Sequence, residues 1–175
     1  LAIQAACGGA GGGGSTAEDG GAPSGFTIDL PVLPADARAD KFGIWPFGAH
    51  GAGHTYDGGH PGIDLEFAPG AHVYAAADGI IDSVMADAYD PSKTTLQIRH
   101  PFGSRTYRTV YTNLEEPVVV AGAAAIRGQP IGKAGAAAGS LPVYHVTHFQ
   151  LDDFGFTNPT PGVSNPYAVD PVPFL

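Results

Sequence analysis

His60 and Asp64 stand four apart in the stretch Gly58-Gly59-His60-Pro61-Gly62-Ile63-Asp64-Leu65-Glu66-Phe67. One offers an imidazole nitrogen, the other a carboxylate oxygen. Together they are two of the three protein ligands of an open zinc site, whose fourth position is left to water. Ile63, Leu65 and Phe67 alternate with Asp64 and Glu66. That period of two predicts a β-strand with one apolar and one acidic face. Pro61 and Gly62 predict a turn ahead of it, which lets His60 fold back over the acidic face. Taken alone, the motif equally describes a turn histidine beside a solvated aspartate. A third ligand is available from a distant, second β-like run, Tyr144-His145-Val146-Thr147-His148-Phe149-Gln150-Leu151, which carries His148.

Between and after these runs come Val73-Tyr74-Ala75-Ala76-Ala77-Asp78-Gly79-Ile80-Ile81, Thr109-Val110-Tyr111-Thr112-Asn113-Leu114, Arg127-Gly128-Gln129-Pro130-Ile131-Gly132 and the terminal Val169-Asp170-Pro171-Val172-Pro173-Phe174-Leu175. In order and spacing the series resembles the M23 family of zinc metallopeptidases, the LytM or lysostaphin type that cuts peptidoglycan cross-links. The resemblance covers residues 41–175. It implies one zinc ion on His60, Asp64 and His148, the last matching the later histidine of the family's His-x-His motif ahead of Phe149. Two imidazoles and one carboxylate suit zinc and leave a water position. The chemistry implied is metal-assisted hydrolysis of a peptide bond.

Two positions depart from that pattern. The earlier histidine of His-x-His, which acts as base in the family, falls on Val146. The histidine of the family's Tyr-x-His-Leu falls on Asn113, in Tyr111-Thr112-Asn113-Leu114. Losing general acid–base help costs about 10²–10⁴ in rate. Four residues are candidate substitutes. His145 is one residue out of register and needs a β-bulge to reach the site face. Glu66 shares the face of Asp64 and is a candidate base. Tyr111 and Asn113 are candidate donors to an oxyanion. Each also has a structural reading: His145 satisfied elsewhere, Glu66 solvated, Tyr111 as packing.

The positioning elements are short strands, expected at 63–67, 72–76, 79–86, 94–100, 106–112, 117–120, 130–133 and 145–151. Turn signals separate them, among them Pro69-Gly70, Asp78-Gly79, Asp90-Pro91-Ser92 and Pro101-Phe102-Gly103. No 3.6-residue apolar period competes, and Ala121–Ala125, broken by Gly122, reads as loop. This spacing argues an all-β fold, a single antiparallel β-sandwich or barrel domain. The resemblance narrows it to the split-barrel form of the M23 type. Residues 1–25 are Gly-rich and too poor in apolar surface to order, and read as a disordered tether. Residues 26–40 read as an extended lead-in, and 41–175 as the domain. Trp45 reads as core or rim packing rather than a groove wall. His50 and His54, in a Gly-rich loop, read as solvated. His72, His100, Arg99, Arg105 and Arg108 read as structural.

A formal net charge of −9 argues against a nucleic-acid partner and against charge-driven binding to anionic lipid. The single cysteine, Cys7, excludes an internal disulfide. Small residues ahead of it and a Gly/Ser tail after it look like the end of a bacterial lipoprotein signal, although Gln4 departs from that pattern; the alternative is an inert thiol in a flexible tail. No run approaches the roughly 20 apolar residues of a membrane-spanning helix. The expectation is a monomeric domain in the bacterial cell envelope, with any membrane attachment through a lipid on Cys7, acting on peptidoglycan or another short peptide. The competing expectations are a degenerate relative that binds zinc or cell-wall peptide, or regulates another envelope enzyme, and a metal-free β-domain in which the three ligands do not converge.

Overall fold

The computed structural model describes residues 25–32, 46–49, 59–137, 145–155 and 165–175. Cys7, Trp45, His50 and His54 lie outside the described residues, as do the tether through residue 24 and positions 33–40 of the lead-in.

The chain is all-β and antiparallel. Strand β1 spans Ile63–Phe67, β2 His72–Tyr74, β3 Gly79–Ala86, β4 Thr94–Phe102, β5 Arg105–Glu115, β6 Ala124–Ala125, β7 Pro130–Ala134, β8 His145–Asp153 and β9 Ala168–Val169. The helix among the described residues is a 3₁₀ turn, Val172–Phe174. β3, β4 and β5 form a meander, because each turn between them closes a hairpin. β8 then inserts between β5 and β1, giving the order β1-β8-β5-β4-β3-β6. β5 changes partner along its length. Tyr107 to Tyr111 pair with β8, whereas Leu114 and Glu115 pair with β7, which also carries β2.

Asn113 sits at that fork with a φ of +58°, a backbone region that asparagine tolerates better than most residues. Its side-chain amide donates to the Gly135 carbonyl (2.9 Å) and the Val146 carbonyl (2.7 Å), tying β5 to the chain beyond β7 and to β8.

Period-two alternation places Ile63, Leu65 and Phe67 in the core, at 5%, 0% and 1% exposure. They pack in one cluster with Leu96, Ile98, Tyr111, Leu114, Phe149 and Leu151. Residues 26–32 of the lead-in join this core. Ile28 is buried, and Phe26 stacks on Tyr107 with ring centroids 4.1 Å apart. Ile28 N–H donates to Phe174 O, and Asp29 N–H to Ala76 O, so this segment is tied both to the C-terminal 3₁₀ turn and to the chain after β2.

Residues 117–120 are not a strand. Glu116 takes a φ of +47°, which turns the chain out of β5, and Val118 and Val120 project to solvent at 65% and 70% exposure. Three valines in a row carry β propensity, but beyond the bond from Val118 N–H to Ile131 O on β7 the run forms no ladder among the described residues. Conversely, Ala124 and Ala125 pair with Ile80 and Gly79 as the short β6, inside the stretch read as loop.

Candidate metal centre

The site begins with register. Asp64 on β1 lies directly opposite His148 on β8, in a ladder of five consecutive pairs without a shift. The two residues are 84 positions apart in sequence. His60 reaches them from the turn before β1. Its N–H donates to Ala49 O, and its own carbonyl accepts from Gly48 N–H, so two backbone bonds hold the turn against residues 48–49. Gly62 allows this turn to lie on β8. A Cβ there would stand 2.8 Å from His148 Cε1 and 2.9 Å from its Nε2, and would strike the Phe149 carbonyl.

Three atoms converge as a result. His60 Nε2 lies 2.8 Å from His148 Nδ1, His148 Nδ1 lies 3.0 Å from Asp64 Oδ1, and Asp64 Oδ1 lies 3.2 Å from His60 Nε2. The rings of His60 and His148 meet at 64°. His60 and His148 are buried, and the Asp64 side chain keeps 23% of its surface in solvent. His60 Nδ1–H donates outward to the Pro46 carbonyl at 3.3 Å, which leaves the Nε2 lone pair pointing inward. His148 Nε2 faces Gln150 Oε1 at 3.5 Å, an acceptor that requires Nε2–H and leaves the Nδ1 lone pair pointing inward too.

With both outer nitrogens protonated, the neutral rings bring no proton into the triangle, and the carboxylate brings none. Three lone pairs at hydrogen-bond distance then face one another, an arrangement that a cation resolves. The dimensions fit. The three atoms lie about 1.7 Å from a common centre, so a point about 2.0–2.1 Å from each lies just above their plane. His60, Asp64 and His148 could therefore hold a metal ion, and two nitrogens with one carboxylate oxygen are a donor set that zinc accepts. Burial pushes the Asp64 carboxyl up; when His148 and His60 are protonated towards it, their hydrogen bonds and charge outweigh burial and bring the carboxyl down to about 2.

The four candidate helpers are placed differently. The unshifted β1–β8 register contains no bulge at His145, which pairs with Phe67, so alternation sends it to the face opposite His148; its Nδ1–H donates to Ala134 O at 3.1 Å. Tyr111 is wholly buried, pairs with Phe149, and accepts the Ala76 N–H at 2.9 Å; burial pushes its hydroxyl up to about 12. It is a core residue and not a donor at the site. The Asn113 amide is engaged by two backbone carbonyls, so its donors point into the sheet fork. Glu66 alone of the four lies on the site face. It is buried, not solvated, and stands directly across from Val146.

Sequence reasoning passed over several residues at this site. Gln150 and Asp152 share the face of His148 by alternation and are buried at 8% and 0%. Arg108, read as structural, pairs with Asp152 through Nη2 at 2.6 Å. A polar residue at every second position of a buried strand was the available signal. The carbonyl of Pro46 left none, because any residue carries one.

Residues 58–158, more than half of the chain, match the family described as Peptidase family M23. The chain belongs to that family. Among solved structures, this M23 domain is similar to the antimicrobial peptidase lysostaphin from Staphylococcus simulans, with 26% identity over 75% of this chain and 48% of that one, at a TM-score of 0.58. The separate catalytic domain of lysostaphin aligns at 25% identity over 74% of this chain and 88% of that one, at a TM-score of 0.58. A zinc-containing peptidase from Vibrio cholerae aligns at 26% identity over 72% and 36%, at a TM-score of 0.54. This M23 chain thus spans about half the length of lysostaphin and about a third of the Vibrio protein. No curated protein matches it.

Proposed function

We propose that this M23 domain is a zinc-dependent endopeptidase that cuts short peptides of peptidoglycan cross-links in the bacterial cell envelope. The observation that carries this reading is the triangle of inward lone pairs on His60, Asp64 and His148, with edges of 2.8–3.2 Å. Membership of a peptidase family and similarity to lysostaphin, named as an antimicrobial peptidase, and to a zinc-containing peptidase support it. Bound there, zinc would supply a Lewis acid for the scissile carbonyl and a water whose pKa is lowered to about 7.

The chain's own residues then have assigned tasks. His60 and His148 orient the ion through their outer hydrogen bonds to Pro46 and Gln150. Asp64 supplies the negative charge and keeps one edge of the site open to solvent. Glu66 is assigned the base's task, because it faces Val146, the position at which the family pattern places an imidazole. Directly opposed residues have their Cβ atoms about 4.5–5.5 Å apart, within reach of a glutamate side chain. The protein works as a monomer, and a lipid on Cys7 would hold it at a membrane.

Release of soluble fragments from purified cell wall tests the proposal. The wild type is expected to release them, and chelation, Asp64→Ala or Glu66→Gln to stop or strongly slow release. A second reading is favoured by Val146 and by the engaged amide of Asn113: a zinc-holding M23 domain that binds wall peptide without cutting it. Stoichiometric zinc with no fragment release at any pH would favour that reading over the first.

A further inference from the structure

A line of buried polar groups runs along β8 away from the metal centre: His148, Gln150 and Asp152 occupy successive positions of one strand face. Its far end is fixed. Asp152 Oδ2 accepts from Arg108 Nε at 2.9 Å and Nη2 at 2.6 Å. Its Oδ1 accepts from Asn165 Nδ2 at 2.9 Å and from Gln150 Nε2 at 2.6 Å. An ionised carboxylate only accepts, so the Gln150 amide must turn its NH₂ towards Asp152 and its Oε1 towards His148. An amide oxygen in turn requires a proton on the facing nitrogen of His148, which is Nε2. The other nitrogen, Nδ1, then presents a lone pair towards Asp64 and His60.

We infer that Gln150, oriented by Asp152 and Arg108, is a positioning residue that keeps the proton of His148 on Nε2 and so prepares Nδ1 to bind metal. The inference rests on the metal reading of His148. Two acceptors compete for that proton. Asp64 Oδ1, 3.0 Å from Nδ1, pulls it to the metal side, and Gln150 Oε1 pulls it to the far side. Without Gln150 the carboxylate wins, and a proton stands where the metal must bind. Outer partners of this kind are worth about 10–100-fold in metal affinity.

Removing Asp152 would take the partner from half-buried Arg108 and the acceptor from Gln150 and Asn165, and endanger folding. Gln150 is therefore the residue to change. Gln150→Leu is expected to bind zinc 10–100-fold more weakly than wild type in competition with a chromophoric chelator, and Gln150→Glu, which shares one proton with Asp152 and keeps its other oxygen as an acceptor towards Nε2, to recover most of the loss. The ¹⁵N shifts of the His148 ring give a readout that ordinary destabilisation would not move. In metal-free wild type Nε2 is protonated; in metal-free Gln150→Leu the proton moves to Nδ1. An unprotonated Nε2 in the metal-free wild type overturns the inference, as does wild-type zinc affinity in Gln150→Leu or an equal loss in both variants. If the wild type binds no zinc, the metal reading fails, and the position of the His148 proton still decides whether Gln150 acts as described.

Discussion

Asp64 sets the acid–base behaviour of the site. Burial raises its carboxyl, the imidazoles of His148 and His60, when protonated towards it, lower it by more, and the result is about 2, below the ordinary 3.8. The carboxylate is thus ionised across the physiological range, and protons compete with zinc at the imidazoles. An imidazole must be unprotonated at the nitrogen that ligates. Apparent zinc affinity should therefore fall as the solution is acidified. Chelator competition between pH 5 and 8 measures this; a break confined to the region below pH 4 would assign the dependence to the carboxylate instead. Gly62 gives a steric test at the same scale. In Gly62→Ala the new methyl meets the His148 ring and the Phe149 carbonyl, so zinc affinity should drop at least tenfold, with a stability loss of about 1–3 kcal/mol in denaturant unfolding. The three residues that converge were readable in sequence as candidate ligands because metal chemistry restricts which residue types can serve. Gln150 and Asp152 were not, because glutamine and aspartate on a strand usually face water, and only the register shows that this face is covered.

At the scale of elements, the site depends on β8 lying between β1 and β5. The β1 side sets Asp64 opposite His148, and the β5 side sets Tyr111 opposite Phe149 in the core. Asn113 holds the fork where β5 leaves β8 for β7. Asn113→Ala would remove one donor each from the carbonyls of Gly135, which keeps the Val146 N–H, and Val146, and place an alanine at a φ of +58°. Two hydrogen bonds at about 1 kcal/mol each and a left-handed penalty of about 1–2 kcal/mol predict a loss of about 3–4 kcal/mol in denaturant unfolding. A loss under 1 kcal/mol would show that the fork does not need the amide. Strand positions were legible where alternation and turn residues agreed, as in β1 and β3, whose bounds match the expectation. They failed at residues 117–120, where the β-branched run bonds to β7 through Val118 N–H but does not continue into a ladder, and at β9, whose two residues are too few to show a period. Nor could sequence decide whether β8 bulges at His145. The ladder itself settles that, by running through Phe67–His145 unshifted.

Across the whole molecule, the core responds to acid through a histidine that lies outside the site. His100 is buried, donates through Nδ1 to Asp78 O at 2.7 Å and accepts from Thr109 Oγ1 through Nε2 at 2.8 Å. Burial holds its pKa below 6.5. The unfolded chain therefore takes up this proton first, and stability is lost as pH falls below about 6.5, down to the folded value. Thermal melts of the chelated protein should show that loss, and His100→Gln should remove part of it; an unchanged pH slope would place the titration elsewhere. The all-β architecture was legible because short strands and turns recur through the chain, while the closure of Ile28 on Phe174 joins segments that share no local pattern. The central claim is that two imidazoles and one carboxylate meet around zinc. X-ray absorption at the zinc edge of the purified protein tests it most directly, with His60→Ala, Asp64→Ala and His148→Ala as controls. The account predicts one zinc per chain, bound by two imidazole nitrogens and light oxygen donors at about 2.0–2.2 Å, with occupancy lost in each variant. Zinc that fails to bind, or that keeps its coordination when any of the three side chains is removed, would contradict it.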